Sequence, residues 1–103
     1  MILVDECHWW FRNRKWCHMV SDVSHDELHA MAEALGIPRR GFQGDHYDLP
    51  EEYRERAIAL GATAVSSREL LTRLRAAGLR LSPARRRAAG TTPPPDLRTG
   101  HQP

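Results

Sequence analysis

Two short stretches near the start of the chain carry patterns that predict β-strands. The apolar run Ile2-Leu3-Val4 stops directly at Asp5, which predicts a first strand that is buried on both faces. Residues 16–22 (Trp-Cys-His-Met-Val-Ser-Asp) alternate with period two, which predicts a second strand with His18 on one face and Cys17 on the other. The second strand therefore presents an imidazole on the same face as apolar side chains.

Three stretches with apolar residues three and four positions apart predict amphipathic helices, over residues 24–36, 48–61 and 66–78. The first and third helices begin at Ser-x-x-Glu capping boxes, in which the serine hydroxyl and the glutamate carboxylate each bind a backbone N–H. We expect Asp48 to cap the second helix, with Pro50 in the first turn of that helix. A glycine ends each of the three helices.

Two further short runs, residues 41–43 and 62–65, predict a third and a fourth strand. The resulting order is β-β-α-β-α-β-α, and helices between the later strands favour crossover connections to parallel neighbours. The sequence thus predicts a small α/β domain over residues 1–78, with about four largely parallel strands.

Charge is distributed unevenly along the 103 residues, although the net charge is only +2. Residues 1–78 are close to neutral, whereas residues 79–103 are basic and rich in proline. The excess cations of this tail are Arg80, Arg85, Arg86, Arg87 and Arg98, against Asp96 alone. We expect a disordered, solvated tail; the alternative is a tail that binds nucleic acid or another anionic surface.

Composition excludes several classes of protein. No apolar run approaches the roughly 20 residues that span a bilayer. The apolar run at residues 2–4 is followed at once by Asp5 and Glu6, which is unlike a signal peptide and leads us to expect a cytoplasmic protein. In that compartment Cys7 and Cys17 are expected to be reduced thiols.

Residues 7–15 (Cys-His-Trp-Trp-Phe-Arg-Asn-Arg-Lys) combine three consecutive aromatic rings with three cations. The rings do not alternate with polar residues, so we expect a loop. Trp9, Trp10 and Phe11 either close one end of the small core or stack on bases or another planar ligand. We favour the core, because a domain of this size needs large apolar groups.

Polar residues follow the predicted strands, and strand ends in open α/β sheets are where ligands bind. The densest group is the run from Asp45 to Asp48, and we expect it to meet residues from the first two strands. Imidazole and carboxylate groups suit a divalent metal, whose expected ligands are His18, Asp22, His46 and Asp48.

The same residues suit acid–base chemistry without a metal. His46 would be a general base or metal ligand, with Asp45 and Asp48 binding the metal or orienting His46, and with His18 completing the catalytic group. A phosphate or similar anion would be held by Arg39 and Arg40, and the remaining ligand contacts are expected from Asp5, Gln43 and Tyr47. Taken singly, each residue also has a structural explanation, such as capping a helix or packing.

Several of these stretches together resemble a bacterial and phage family called domain of unknown function 4031. The resemblance is carried by Val4-Asp5, His18-Met-Val-Ser-Asp22, Glu27-Leu-His-Ala-Met-Ala32, Arg39-Arg40, Gln43-Gly-Asp-His-Tyr-Asp48, Gly61-Ala62 and Arg68-Glu-Leu70, and runs from about residue 1 to residue 78. It implies a domain identity and no reaction, and the tail lies outside it.

We therefore expect either a metal-dependent hydrolase or a binder of a phosphate-bearing ligand, such as a nucleotide or nucleic acid. The alternative is a non-catalytic regulatory module, in which the aromatic and cationic residues 9–16 and the basic tail bind nucleic acid or a protein partner. Whether the protein is an enzyme stays open at the level of sequence, as does its oligomeric state.

Overall fold

The structure, a computed structural model, describes residues 1–81. Its strands are β1 (Ile2–Val4), β2 (Trp9–Phe11), β3 (Arg14–Ser21), β4 (Tyr47–Pro50) and β5 (Thr63–Ala64). Its helices are α1 (His25–Ala34), α2 (Glu51–Ala59) and α3 (Ser67–Ala76), and a single 3₁₀ turn covers Arg39–Gly41. The predicted disorder of the tail falls almost wholly outside the described residues.

The longest strand, β3, organises the sheet. It pairs antiparallel with β1, β2 and β4, while β5 joins the outer edge of β1 in parallel. The α/β class is confirmed, but the prediction of about four largely parallel strands is wrong: within residues 1–81 the sheet has five strands and is mostly antiparallel. In this part of the chain only the β1–β5 pair has the parallel arrangement that a helical crossover produces.

Helices cover both faces of this sheet, as the alternating pattern of β3 requires. Cys17 and Met19 lie in the larger core beneath α1 and α2. Val20 faces the other way, into a smaller cluster with Leu70 and Leu74 of α3. The predicted alternation of β3 is thus confirmed, and it sends its odd-numbered and even-numbered side chains into different surroundings.

The stretch predicted as an aromatic loop is largely a β-hairpin. Strand β2 pairs with the start of β3, and the two-residue turn between them places Arg12 and Asn13 at positive φ (54° and 62°). Two such residues are typical of a type I′ hairpin turn, whose twist matches that of the flanking strands. The expectation that all three aromatic rings close the core is wrong for Trp10, which is 69% exposed.

Two other local predictions are corrected by the structure. The predicted third strand is the 3₁₀ turn followed by a single bridge between Phe42 and Tyr47. Asp48 lies inside β4, and the residue that precedes the first turn of α2 is Pro50, with no side-chain cap. The strand runs directly into the helix, so no separate capping residue intervenes.

The predicted serine caps are present at both helices. Ser24 accepts a hydrogen bond from the Glu27 backbone N–H, and Ser66 accepts one from Glu69. The reciprocal half of the first capping box is missing, because the Glu27 carboxylate instead binds the Ser21 hydroxyl (2.5 Å). Over residues 1–81, no helix is both long and apolar enough to cross a membrane.

Candidate functional site

The pairing of β3 with β4 brings two of the candidate residues face to face. In this register His18 lies opposite Asp48, and Cys17 lies opposite Leu49. Directly opposite residues of an antiparallel pair point to the same face of the sheet. Since Cys17 and Leu49 both belong to the core beneath α1, His18 and Asp48 point to the other face, where α3 lies.

Asp5 holds the His18 side chain from behind. Its carboxylate is fully buried and accepts hydrogen bonds from His18 Nδ1 (2.8 Å), the His18 backbone N–H (2.6 Å) and the Ser67 hydroxyl (2.8 Å). Burial alone would raise the pKa of Asp5, but the hydrogen bonds from His18 and Ser67 outweigh it and hold this pKa below its usual range. Asp5 is therefore ionised, and His18 has Nδ1 engaged and Nε2 left for another partner.

Asp45 holds the second imidazole in the same way. Its buried carboxylate accepts from His46 Nδ1 (2.7 Å) and from the Leu81 backbone N–H (2.9 Å), with Arg80 at 3.5 Å. The other ring nitrogen of His46 lies 3.3 Å from Asp48 Oδ1. Burial lowers the pKa of His46, but the hydrogen bonds with Asp45 and Asp48 outweigh it, and the pKa is raised.

These two aspartate–histidine pairs converge. The rings of His18 and His46 meet edge to face, with 5.3 Å between their centroids. One donor atom each from His18, His46 and Asp48 lies within 4.8 Å of the other two. Two ligands bound at about 2 Å from one ion can be at most about 4 Å apart, so a small contraction brings these atoms to coordinating distance. Within residues 1–81 no other three His, Cys, Asp or Glu side chains meet this way.

A cavity of about 330 Å³ opens beside the convergent histidines. Its polar side is formed by Asp5, His18, His46, Ser67 and Arg80. Its apolar side is formed by leucines of α3 and by a valine of β3. The site is therefore reachable from a pocket that contains a hydroxyl and a guanidinium as well as the imidazoles.

Other predicted site residues lie elsewhere. Asp22 is four residues beyond His18, and its carboxylate pairs with Arg73 (2.7 Å) and with the amino group of Met1 (3.0 Å). It is not part of the donor cluster, so the structure brings together three of the four predicted metal ligands.

The predicted anion-binding arginines are also away from the cluster. Arg39 lines a second cavity, of about 320 Å³, with His29 and Tyr47. The Tyr47 hydroxyl lies 2.8 Å from His29 Nδ1, on the face of the sheet opposite His46. Arg40 is exposed on the same 3₁₀ turn as Arg39. Neither arginine lines the cavity beside the histidines.

Gln43 supports the loop that carries the second histidine. It is buried, and its backbone N–H donates to the His46 carbonyl (2.8 Å). Three contributors were missed by sequence reasoning: Ser67, Arg80 and Arg54, whose Nε donates to the Asp5 carbonyl (2.7 Å). Ser67 sits inside a capping box and Arg80 at the start of the basic tail, so each had a simpler explanation in the sequence.

Comparison with protein families gives a match to the model described as "Protein of unknown function (DUF4031)", over residues 2–77. The chain belongs to the DUF4031 family. Comparison with curated proteins and with solved structures gives no match. All residues of the two aspartate–histidine pairs, and Asp48, fall within the part of the chain that defines this DUF4031 domain, whereas Arg80 lies beyond it.

Proposed function

We propose that this DUF4031 protein binds a divalent transition-metal ion through His18, His46 and Asp48, and that it hydrolyses a phosphate-bearing substrate at that ion. One observation carries the proposal: two imidazoles have Nδ1 held by a buried carboxylate, and both rings meet beside a third carboxylate. The fold already has an apolar cluster on each face of the sheet. Two acids and two imidazoles in this arrangement therefore add little to its stability.

The carboxylates behind the histidines are what a metal site requires. A metal-bound histidine almost always donates its second ring N–H to a carboxylate, a carbonyl or a water, which fixes the tautomer and makes the ligand nitrogen more basic. Asp5 serves His18 and Asp45 serves His46, both from fully buried positions. A pair of histidines placed only for packing does not need this support.

The donor set narrows the identity of the ion. Two imidazole nitrogens and one carboxylate oxygen suit Zn²⁺, Fe²⁺ or Mn²⁺ better than Mg²⁺ or Ca²⁺, which prefer oxygen ligands. Three protein ligands leave a coordination position open, as in catalytic rather than structural zinc sites. An ion held this way supplies a water of lowered pKa and a Lewis acid for a phosphoryl oxygen.

The cavity supports an anionic substrate. Arg80 places a guanidinium at its wall, and Ser67, the first residue of α3, lies beside Asp5. The positive end of the α3 dipole therefore lies at this cavity, which adds to the attraction for a phosphate. In this arrangement Arg80 takes the role that the sequence suggested for Arg39 and Arg40.

Calorimetric titration with Zn²⁺, Mn²⁺ and Mg²⁺ tests the metal part. We expect one ion per chain, with Zn²⁺ or Mn²⁺ binding more tightly than Mg²⁺. His18→Ala and His46→Ala should each weaken binding at least ten-fold. His29→Ala, which removes a histidine from the second cavity, should leave the affinity unchanged. Absence of heat with all three ions would remove the proposal.

Turnover of phosphate esters tests the hydrolase part. Nucleotides, a dinucleotide and bis-p-nitrophenyl phosphate are offered to the metal-loaded protein. Cleavage that needs the metal and is lost in Asp48→Asn would support a hydrolase. Tight metal binding with no cleavage of any of these would contradict it and favour a non-catalytic role.

A further inference from the structure

The metal site does not use the turn end of the β2–β3 hairpin, which carries aromatic and cationic residues. Its surface, here called the hairpin surface, consists of the exposed Trp10 and Arg12 and the half-buried Lys15. Trp10 is 69% exposed, the highest value among the exposed large apolar side chains of residues 1–81. Tryptophan is enriched at interfaces because its ring offers a large contact area, so this side chain can contact a partner.

The hairpin places a cation beside Trp10. Lys15 lies directly opposite it across the strands, and the Lys15 Nζ is 5.7 Å from the centroid of the indole ring. The tight turn at Arg12 and Asn13 leaves no loop to collapse over the ring. A largely exposed indole with an ammonium group close to its ring is thus presented to solvent.

Charge decides the kind of partner that fits. Residues 9–16 contain Arg12, Arg14 and Lys15 and no carboxylate. Arg14 pairs with Glu52 (2.7 Å), and Arg12 and Lys15 lie over the rings of Phe11 and Trp10 respectively. Cations interleaved with an exposed ring match a polyanion that carries unstacked planar groups, which describes a single strand of nucleic acid. A duplex is a poorer match, because its bases are already stacked on one another.

The hairpin also connects this surface to the proposed metal site. Trp9 and Trp10 are consecutive in β2, and successive side chains of a strand point to opposite faces. The Trp9 ring lies 4.7 Å from the His18 ring, between centroids. In residues 1–81 β2 pairs only with β3, so its outer edge is open. A nucleic-acid strand with a base stacked on Trp10 can pass around this edge of the sheet and reach the face that carries His18.

We propose that the hairpin surface binds single-stranded nucleic acid, with a base stacked on Trp10 and the backbone attracted by Arg12 and Lys15. The metal site would then act on a phosphodiester of that strand. This last part rests on the proposed hydrolase function, whereas binding by the hairpin stands without it. The assignment narrows the substrate from phosphate-bearing ligands in general to an oligonucleotide.

Fluorescence anisotropy with a labelled 12-nucleotide single strand tests the binding. The full chain is used, at low salt and with a chelator, so that no divalent metal takes part. We expect Trp10→Ala to weaken binding by about five-fold or more and Trp10→Phe to retain most of it. Lys15→Glu should weaken binding and reduce its dependence on salt.

The matched controls are Leu60→Ala, another exposed apolar residue, and Arg75→Glu, another exposed arginine; both should bind as the unmodified protein does. The basic tail is present in every variant and contributes equally to each. The inference is overturned if Trp10→Ala and Lys15→Glu bind like the controls, if a duplex of the same sequence binds as tightly, or if the unmodified chain does not bind. Because no metal is present, such a failure leaves the metal proposal untouched, and a failed metal titration leaves this result untouched.

Discussion

Asp5 determines which nitrogen of His18 faces the cavity. It binds His18 Nδ1 and the His18 backbone N–H with separate oxygens, so the ring can neither flip nor swing without breaking a buried hydrogen bond. The same logic applies to Asp45 and His46. We therefore attribute the site to the carboxylates behind the histidines as much as to the histidines themselves.

Replacing Asp5 tests this attribution. Asp5→Asn keeps the shape but removes the charge, so His18 becomes a less basic and less well oriented ligand. We expect metal affinity to fall about 10–100-fold, as measured by calorimetry. Asp22→Asn is the matched control, since Asp22 also forms an ion pair but lies outside the cluster. Equal affinities for the two variants would contradict the role given to Asp5.

Sequence reasoning went furthest for residues whose neighbours are set by strand periodicity. His18 was expected on the opposite face from Cys17, and it is, because period two is a local property of a strand. The hydrogen-bond partners of Asp5 could not be predicted from strand periodicity. Ser67 is 62 residues away in the sequence and reaches Asp5 only because α3 packs beside it. Distant hydrogen bonds of this kind leave no periodic trace in a sequence.

At the scale of elements, the register between β3 and β4 creates the site. His18 and Asp48 oppose each other, and the loop before β4 turns so that His46 returns to the same side. The sequence indicated a helix after Asp48 and a strand before it, whereas Asp48 itself is in the strand. Local propensity does not distinguish the last residue of a turn from the second residue of a short strand.

The turn at Gly44 offers a test at this scale. Gly44 has φ +94°, and a Cβ added there would lie 2.6 Å from a methyl group of Leu81, whose backbone N–H binds Asp45. Gly44→Ala should therefore destabilise the protein by about 1–2 kcal/mol from the backbone conformation alone, and more if Leu81 has to move.

The control for this substitution is Gly36→Ala, which also has positive φ (+76°) but meets nothing within 4 Å. Urea unfolding measures both variants. We expect Gly44→Ala to be the more destabilised, because the Leu81 methyl group must swing aside to make room for the new Cβ. Equal loss of stability in the two variants would show that the contact with Leu81 has no cost.

The junction between β3 and α1 depends on Ser21. Its hydroxyl oxygen accepts hydrogen bonds from the backbone N–H groups of Val23 (3.0 Å) and Ser24 (3.1 Å), and its O–H donates one to the Glu27 carboxylate. Ser21→Ala leaves both N–H groups without this acceptor and should cost about 1 kcal/mol or more at pH 7.

The loss of stability in Ser21→Ala should also depend on pH. The hydrogen bond from Ser21 is the main reason why the pKa of Glu27 is lowered. A lowered carboxyl pKa stabilises the fold above the ordinary glutamate value of about 4.3, and this contribution disappears as pH falls through the folded-state pKa. The stability difference between Ser21→Ala and the unmodified protein should therefore shrink in acid. A difference that stays constant from pH 7 to pH 2 would contradict this.

For the molecule as a whole, the sheet separates a densely packed face from the face that carries the candidate site. The face beneath α1 and α2 carries the larger core, and the face toward α3 carries a small cluster together with both aspartate–histidine pairs. The parallel topology inferred from the alternation of strands and helices was wrong, because the order of elements does not specify which strands become neighbours. Instead, β1, β2 and β4 each pair with β3 in the antiparallel direction.

Metal binding should be visible in global stability. An ion that binds only the folded state at one hundred times its dissociation constant adds about 2.7 kcal/mol, which in a domain of this size raises Tm by about 10–20 °C. Asp48→Asn should abolish the rise, whereas Asp26→Asn, an exposed carboxylate of α1, should retain it. Thermal unfolding followed by circular dichroism, with and without Zn²⁺, measures the effect. An equal rise in both variants would place the ion elsewhere.

The convergence of His18, His46 and Asp48 on one ion is the central claim, and a crystal structure of the protein grown with Zn²⁺ tests it most directly. We predict an anomalous peak about 2 Å from one nitrogen of each histidine and from a carboxylate oxygen of Asp48, with Asp5 and Asp45 still bound to the two Nδ1 atoms. An anomalous peak next to other residues would contradict this claim. So would well-ordered side chains of these three residues with no peak between them.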